Sequence, residues 1–156
     1  MRVWRIGTDT PAYHSDDLSG TGAKITGGRW NSIGMPVVYC SDTPSLACLE
    51  TLVHLGTSGL PFNRFLVAVN IPDAVWNARR IETTTSLKVG WLACPAGRDS
   101  IDTGDAWIKS NLSAVMTVPS VIVPEDSVIL INPSHPDAKH ITADKVRQWT
   151  YDPRLG

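Results

Sequence analysis

The sequence predicts one domain of the α+β class, on three observations. Its apolar segments are mostly short and rich in β-branched and aromatic residues, which is typical of strands, and few segments show helical periodicity. The connections between these segments are too short for the regular crossovers of a doubly wound sheet. The chain has 156 residues, of which 42% are hydrophobic and 19% charged, and no long linker divides it, so it suits a single core.

A long polar segment separates the first two predicted strands. Residues 3–6 and 36–41 have the apolar, β-branched and aromatic side chains of strands. Residues 7–34 between them are rich in Gly, Ser, Thr and Asp. We expect an ordered loop there, and a loop of this length in a compact domain generally serves a function.

The first predicted helix has signals at both ends. Thr43 is expected to cap it, Pro44 suits its first position, and Gly56 ends it after residue 55. At helical spacing, Glu50 falls among the leucine and valine side chains of the apolar face. A carboxylate buried there costs free energy unless it has a partner, so Glu50 needs either an ion pair or a function.

The second half of the chain carries the remaining elements. Proline residues bound several of them, because proline has no N–H to donate within a sheet. We predict strands over residues 65–71, 115–123 and 128–131, a helix over residues 102–113, and a last short strand that includes residues 149–151.

Charge and composition argue against several classes of function. A net charge of −1 with no run of Lys or Arg argues against direct binding of nucleic acid. The N-terminal segment lacks the apolar core of a signal peptide and no apolar run has membrane-spanning length, so we expect a cytoplasmic protein without a membrane partner. Cys40, Cys48 and Cys94 have neither disulfide nor zinc spacing, and the histidines show no metal-ligand spacing, so no metal is expected.

The best candidates for a functional site lie between residues 27 and 50. Arg29 follows two glycines, which let the backbone approach a ligand while the planar guanidinium binds phosphate oxygens. Tyr39 offers an aromatic ring on a strand, although a core aromatic residue would look the same. Glu50 is compatible with a core ion pair to Arg29 or Arg5, or with a catalytic carboxylate.

Several longer segments, in this order, resemble the RES-domain family: GGRWNSIG, PVVYCS, SLACLETLVHL, VPSVIVPEDSVILINPSHPD and the terminal YDPRL. The resemblance spans nearly the whole chain, so residues 1–156 are expected to form one RES domain. It implies a fold similar to that of ADP-ribosyltransferase toxins, with mixed β-sheets and few helices. It also implies a toxin of a bacterial type II toxin–antitoxin pair that consumes NAD+.

The resemblance also assigns residues. The family's arginine, tyrosine, glutamate and serine fall on Arg29, Tyr39, Glu50 and Ser120, and Arg5 matches a second arginine that would contact NAD+. In the resulting hypothesis Arg29 binds the pyrophosphate or the adjacent ribose, and Tyr39 stacks on nicotinamide. Glu50 accepts from the ribose 2′-hydroxyl and opposes the developing positive charge. Ser120 contacts the same ribose or orients Glu50.

The acceptor of the ADP-ribose stays open at this point. We expect water or phosphate, with NAD+ depletion and growth arrest, and the alternative is mono-ADP-ribosylation of a specific protein. The Glu-x-Glu pair of arginine-modifying transferases is missing, which argues against arginine as the acceptor. A binding module without activity is disfavoured because the arginine, tyrosine and glutamate are all intact.

A toxin of this kind needs a partner. The resemblance implies an antitoxin of the Xre-like helix-turn-helix type, whose C-terminal segment would occupy the active site. It also allows a toxin dimer within the toxin–antitoxin complex. NAD+ itself would be the substrate.

Overall fold

The computed structural model describes residues 1–56 and 59–156. In these residues one mixed sheet is formed by β1 (Arg2–Thr8), β2 (Val38–Ser41), β3 (Arg64–Asn70), β4 (Arg80–Ile81), β5 (Val115–Pro119), β6 (Ser127–Ile131) and β7 (Thr142–Gln148). The strand order is β4-β5-β6-β2-β1-β3-β7. Neighbouring strands are antiparallel except β4 and β5, which are parallel.

Short helices cover this sheet and complete a single α+β domain, as predicted. They are α1 (Thr21–Thr26), α2 (Pro44–Leu52), α3 (Asp73–Asn77) and α4 (Arg98–Ser110), with 3₁₀ turns at Val89–Leu92, Pro136–His140 and Pro153–Leu155. No helix in the described ranges is both long enough and apolar enough to cross a membrane.

The strands predicted over residues 3–6, 36–41, 65–71 and 128–131 are present, with ends that differ by one or two residues. The strand predicted over residues 115–123 ends at Pro119 instead, because Ser120 begins a turn there. The predicted loop over residues 7–34 contains the short helix α1, which ends at Gly27 with a positive φ of 69°.

Both predicted helices differ in their bounds. The cap at Thr43 is confirmed, since its side chain accepts from the N–H of Leu46 at 3.1 Å. However, α2 ends at Leu52 rather than 55, because the N–H groups of His54 and Leu55 bond three residues back, as in a tighter turn. Helix α4 begins at Arg98 rather than 102 and ends at Ser110, where Asn111 adopts a left-handed conformation with φ 52°.

The strand predicted over residues 149–151 is wrong. The last strand is β7, which precedes those residues and lies at the edge of the sheet. Nearly all of its side chains are exposed, so it lacks the apolar alternation that identifies a strand in sequence. Tyr151 is buried because it packs against α2 and β3, not because it belongs to a strand.

The two faces of the sheet are covered differently. One face carries a continuous cluster that includes Val38 and Cys40 of β2. The opposite face carries two separate clusters. The cluster over β5 and β6 contains Trp30 and Trp107, and the cluster over β1 and β3 packs against α2. Since β2 lies between these pairs of strands, Tyr39 on this face lies where the two clusters meet.

Helix α4 packs very closely on the turn before β2. A Cβ atom at Gly104 would lie 1.7 Å from the carbonyl oxygen of Trp30, which is backbone and cannot rotate away. Trp107, one turn further along the helix, is fully buried beneath it. Glycine at position 104 is therefore required for this contact, although it is a poor residue for a helix interior.

We expect Gly104→Ala to lower the free energy of unfolding by about 1–3 kcal/mol, because the added methyl group forces α4 away from the turn. At an ordinary helical site the same change would be stabilising by about 1 kcal/mol, so the sign is diagnostic. Urea denaturation measures it. Ala106→Gly, at an exposed position of α4, reports the helix propensity alone. A stabilised Gly104→Ala protein would contradict the close contact.

Candidate functional site

A two-residue turn presents Arg29 and Trp30. Gly28 and Asn31 bracket it, with backbone hydrogen bonds of 3.0 Å and 3.4 Å between them. A Cβ atom at Gly28 would lie 2.7 Å from the hydroxyl oxygen of Tyr39. Glycine there lets the turn rest directly on the tyrosine, and this explains one of the two glycines that precede the arginine.

The hydroxyl group of Tyr39 is fully used by the protein. It accepts from the backbone N–H of Trp30 at 2.9 Å and donates to Oδ1 of Asn31 at 2.7 Å. Burial raises the pKa of Tyr39 well above its ordinary value, and the carboxylates of Asp105 and Glu50 act in the same direction, against the Trp30 N–H and the Arg29 charge. The phenol is therefore neutral at physiological pH, and Tyr39 cannot serve as a base.

Arg29 is half-buried and held by one of its two terminal nitrogens. Its Nη1 donates to the carbonyl oxygens of Trp91 at 3.0 Å and of Ala93 at 2.8 Å. The rings of Trp30 and Trp91 stack with centroids 6.5 Å apart, which fixes the same segment from the other side. Within the described residues, the Nε and Nη2 hydrogens of Arg29 have no protein acceptor, so they can bind an anion.

Glu50 is held by a serine rather than by a cation. The hydroxyl of Ser120 donates to Oε1 of Glu50 at 2.8 Å. The Oγ atom of Ser120 in turn accepts from the N–H groups of Ile122 and Val123 at 3.0 Å and 3.2 Å. Because these two donors occupy the oxygen, its proton points to the carboxylate. Among the described residues no Lys or Arg pairs with Glu50, so the core ion pair considered from the sequence is not formed there.

Burial separates the two roles that the sequence left open for Ser120. Its side chain is 0% exposed, whereas Glu50 is only half-buried. A fully covered hydroxyl that already serves Glu50 has no surface for a ligand. The orientation of Glu50 is therefore the role that its geometry favours.

Four of the predicted residues come together and one does not. The charges of Arg29 and Glu50 both influence the pKa of the Tyr39 phenol, and Ser120 donates a hydrogen bond to Glu50. These four residues therefore share one region. Arg5 lies on the other face of the sheet. Trp4, which precedes it, pairs with Ser41 on the Tyr39 face, and successive strand residues alternate.

Arg5 has structural contacts on its own face. Its Nη1 donates to the carbonyl oxygen of Asp17 at 3.0 Å. Burial raises the pKa of Cys40 to about 12, and the Arg5 charge opposes this shift, which places the guanidinium near that thiol. Asp17 also lines a cleft of about 660 Å³ between residues 12–21 and the start of β7, and this cleft contains none of the four clustered residues. Contact of Arg5 with NAD+ stays a prediction.

Two further residues of this region were missed by sequence reasoning. Asn31 is 1% exposed, and its Nδ2 donates to the carbonyl oxygens of Ala23 at 2.8 Å and Met35 at 3.0 Å. Asp105 is 9% exposed and binds Ser32 with both carboxylate oxygens. Nothing in sequence distinguishes Asn31 from an ordinary loop residue. Asp105 had a signal, since it lies three residues before the buried Ile108 on α4.

The described residues offer no group of side chains suited to a metal ion. No group of three or more His, Cys, Asp or Glu side chains in residues 1–56 and 59–156 is placed to hold a metal ion. The chemical resources of the site are one oriented carboxylate, one partly free guanidinium and one aromatic ring. Such a set suits the binding of a phosphate-containing ligand and the stabilisation of positive charge beside it.

We expect Tyr39→Phe to lower the free energy of unfolding by about 1–3 kcal/mol, because it leaves two buried polar groups, the Trp30 N–H and Asn31 Oδ1, without a partner. Chemical denaturation measures this loss. Tyr13→Phe is the matched control, since the Tyr13 hydroxyl makes no hydrogen bond within the described residues and its removal should cost little. Equal stabilities of the two variants would contradict the anchoring role of Tyr39.

Comparison with known proteins places the chain among toxins. It is 57% identical over 152 residues to the Prs ADP-ribosylating toxin of Sphingobium sp. (strain YBL2), a match that covers 97% of this chain and 94% of the relative. It is 37% identical to Toxin Res of Photorhabdus laumondii, with 92% and 90% covered. It is 36% identical to Toxin Res of Pseudomonas putida, with 99% of each covered.

A solved structure shares the fold. The crystal structure of the M. tuberculosis MbcT–MbcA toxin–antitoxin complex matches with a TM-score of 0.69, covering 94% of this chain and 84% of the other. At 16% sequence identity the likeness concerns the fold alone. The RES domain model matches residues 2–154. With that match and these relatives, the chain belongs to the RES domain family.

Proposed function

We propose that this RES domain is a toxin that cleaves the bond between nicotinamide and ribose in NAD+ and transfers ADP-ribose to a protein. The observation that carries the proposal is the Glu50 carboxylate, half-buried and oriented by Ser120 in the same region as Arg29 and Tyr39. The name of the relative that is 57% identical, an ADP-ribosylating toxin, supports the transfer.

The chemistry needs little more than electrostatics. When the C1′–N bond breaks, nicotinamide keeps the electron pair and leaves as a neutral molecule, so no acid has to protonate it. Positive charge then develops on the ribose, as in glycosidases. Glu50 opposes this charge and accepts from the 2′-hydroxyl. Its carboxylate is already oriented before the substrate binds, and preorganised charge of this kind supplies much of the rate enhancement in such sites.

Arg29 would hold the anionic part of the dinucleotide. Its Nη1 is fixed to two carbonyl oxygens, and the remaining Nε and Nη2 hydrogens form a planar pair suited to two phosphate oxygens. The fixed end sets the direction of the free end. Phosphate binding would therefore need little further ordering of the side chain.

Tyr39 would act through its ring. Its hydroxyl is occupied by Trp30 and Asn31, so the group cannot also donate to a substrate. Tyr39 lies where the two apolar clusters of the sheet meet and is half-buried, so the part of its ring that the clusters leave open would stack against nicotinamide.

The acceptor of the ADP-ribose is chosen by more than the carboxylate, because a site with one carboxylate can accept several nucleophiles. We place a protein first because of the Sphingobium relative, whose name gives Prs as the target. Water or phosphate, which would deplete NAD+, is the second candidate. The missing Glu-x-Glu pair argues against arginine as the acceptor and leaves other protein side chains, water and phosphate open.

We further propose an antitoxin as the physiological partner. The fold neighbour was crystallised in a toxin–antitoxin complex, and the relatives are named toxins. From the resemblance to the family we expect a partner of the Xre-like helix-turn-helix type, whose C-terminal segment would fill the site. DNA binding would then belong to the partner, which fits the nearly neutral charge of this chain.

We expect Glu50→Gln to fold normally and to lose activity by about 10²–10³-fold, the effect of removing one preorganised electrostatic group. Glutamine keeps an oxygen for the Ser120 hydroxyl but removes the charge. The measurement is incubation of the purified protein with labelled NAD+ and a Prs protein, with and without phosphate, followed by mass identification of every product. ADP-ribose on the protein supports transfer, and free or phosphorylated ADP-ribose supports depletion.

Glu125→Gln is the control for this substitution. It makes the same chemical change at an exposed carboxylate of the turn that holds Ser120, one that forms no side-chain hydrogen bond within the described residues, and it should retain full activity. Wild-type protein that leaves NAD+ intact under all conditions would refute the proposed reaction. An active Glu50→Gln protein would refute the role of the carboxylate.

We expect Arg29→Lys to raise the KM for NAD+ nearly as much as Arg29→Ala. A lysine ammonium cannot hold both carbonyl oxygens and present a planar pair of donors to phosphate at the same time. Arg98→Lys, at the exposed start of α4, provides the matched control. If Arg29→Lys kept most of the wild-type activity and Arg29→Ala lost it, the arginine would act only as a point charge.

A further inference from the structure

We propose that Asp105 is a positioning residue that fixes the direction of Arg29 through Ser32. The expected effect of Asp105 on NAD+ binding rests on the proposed function, whereas its effect on the orientation of Arg29 rests on geometry alone. Asp105 is 9% exposed on α4, and none of the described Lys or Arg side chains forms an ion pair with it. A buried carboxylate without a cation is costly, so its presence calls for a specific role.

The partner of Asp105 is a single residue of the turn that follows Arg29. Its Oδ1 accepts from the backbone N–H of Ser32 at 2.9 Å, and its Oδ2 accepts from the hydroxyl of Ser32 at 2.5 Å. Two donors on one residue require two acceptors on the other. A carboxylate supplies both, whereas asparagine would turn an NH₂ group toward one donor.

The neighbouring residues make this contact a rigid one. Gly104, directly before Asp105, lies against the Trp30 backbone with no room for a Cβ atom. Asn31, directly before Ser32, is buried and bonded to Tyr39 and to Ala23. The turn is thus fixed to α4 on one side and to the sheet on the other, with Arg29 projecting from it.

Helix α4 also contacts the segment whose carbonyl oxygens accept hydrogen bonds from Arg29. Asp99, in the first turn of α4, accepts from the N–H of Gly90 at 3.1 Å. Gly90 precedes the Trp91 carbonyl to which Arg29 donates. Helix α4 therefore holds both the turn that bears the guanidinium and the segment that receives it, and Asp105 is the link to the first of these.

The test compares Asp105→Asn and Ser32→Ala with the control Asp102→Asn, an exposed aspartate on the same helix. One readout is the NMR signal of the Arg29 side-chain N–H groups, assigned with Arg29→Lys. The other readout is the change in KM for NAD+, compared with the change in kcat. We expect Asp105→Asn to shift the Arg29 signal and to raise KM by about tenfold or more, the effect of losing a hydrogen bond to a charged group, with a smaller change in kcat.

Ser32→Ala should act in the same direction with a smaller effect, and the double variant should be no worse than Asp105→Asn, because both act through one contact. Folded variants with the wild-type Arg29 signal and KM would overturn the inference, as would single effects that simply add. If Asp105→Asn does not fold, Ser32→Ala decides. If wild-type protein does not cleave NAD+, the proposed function fails and the NMR signal alone decides the positioning role.

Discussion

The hydroxyl of Tyr39 is the contact on which the arrangement of this site depends. It is the point where the central strand of the sheet meets the turn that bears Arg29, and it satisfies one donor and one acceptor of that turn. An unsatisfied buried polar group is expensive, so this pairing specifies the position of the turn as well as stabilising it. Gly28 follows from the same contact, since any side chain there would occupy the place of the phenol oxygen.

The site lies over β2, where the two apolar clusters on one face of the sheet meet. Neither cluster covers β2 completely, so Tyr39 stays half-buried in an otherwise buried strand. Helix α2 brings Glu50 to this region from one side, and the turn after β5 brings Ser120 from another. The polar groups can thus stay hydrated or take a ligand while the packing beneath them remains apolar.

Much of this could be predicted from sequence, and the failures have physical causes. The buried strands and the cap at Thr43 carry local signals that decide their structure, and these predictions were confirmed. The edge strand β7 has no such signal because solvent covers both its faces. The clustering of Arg29, Tyr39, Glu50 and Ser120 followed from the family resemblance. Asn31 and Asp105 were missed because their partners are set by tertiary contacts alone.

The parallel pairing of β4 with β5 determines which segment of the chain holds Arg29. Parallel neighbours need a long connection, and here residues 82–114 form it, carrying the Trp91 and Ala93 carbonyls as well as Asp105. One continuous segment of the chain therefore supplies both carbonyl acceptors of the Arg29 guanidinium and a carboxylate that holds its turn. Substitutions confined to residues 82–114 can change the orientation of the guanidinium while the central strands of the sheet keep their sequence.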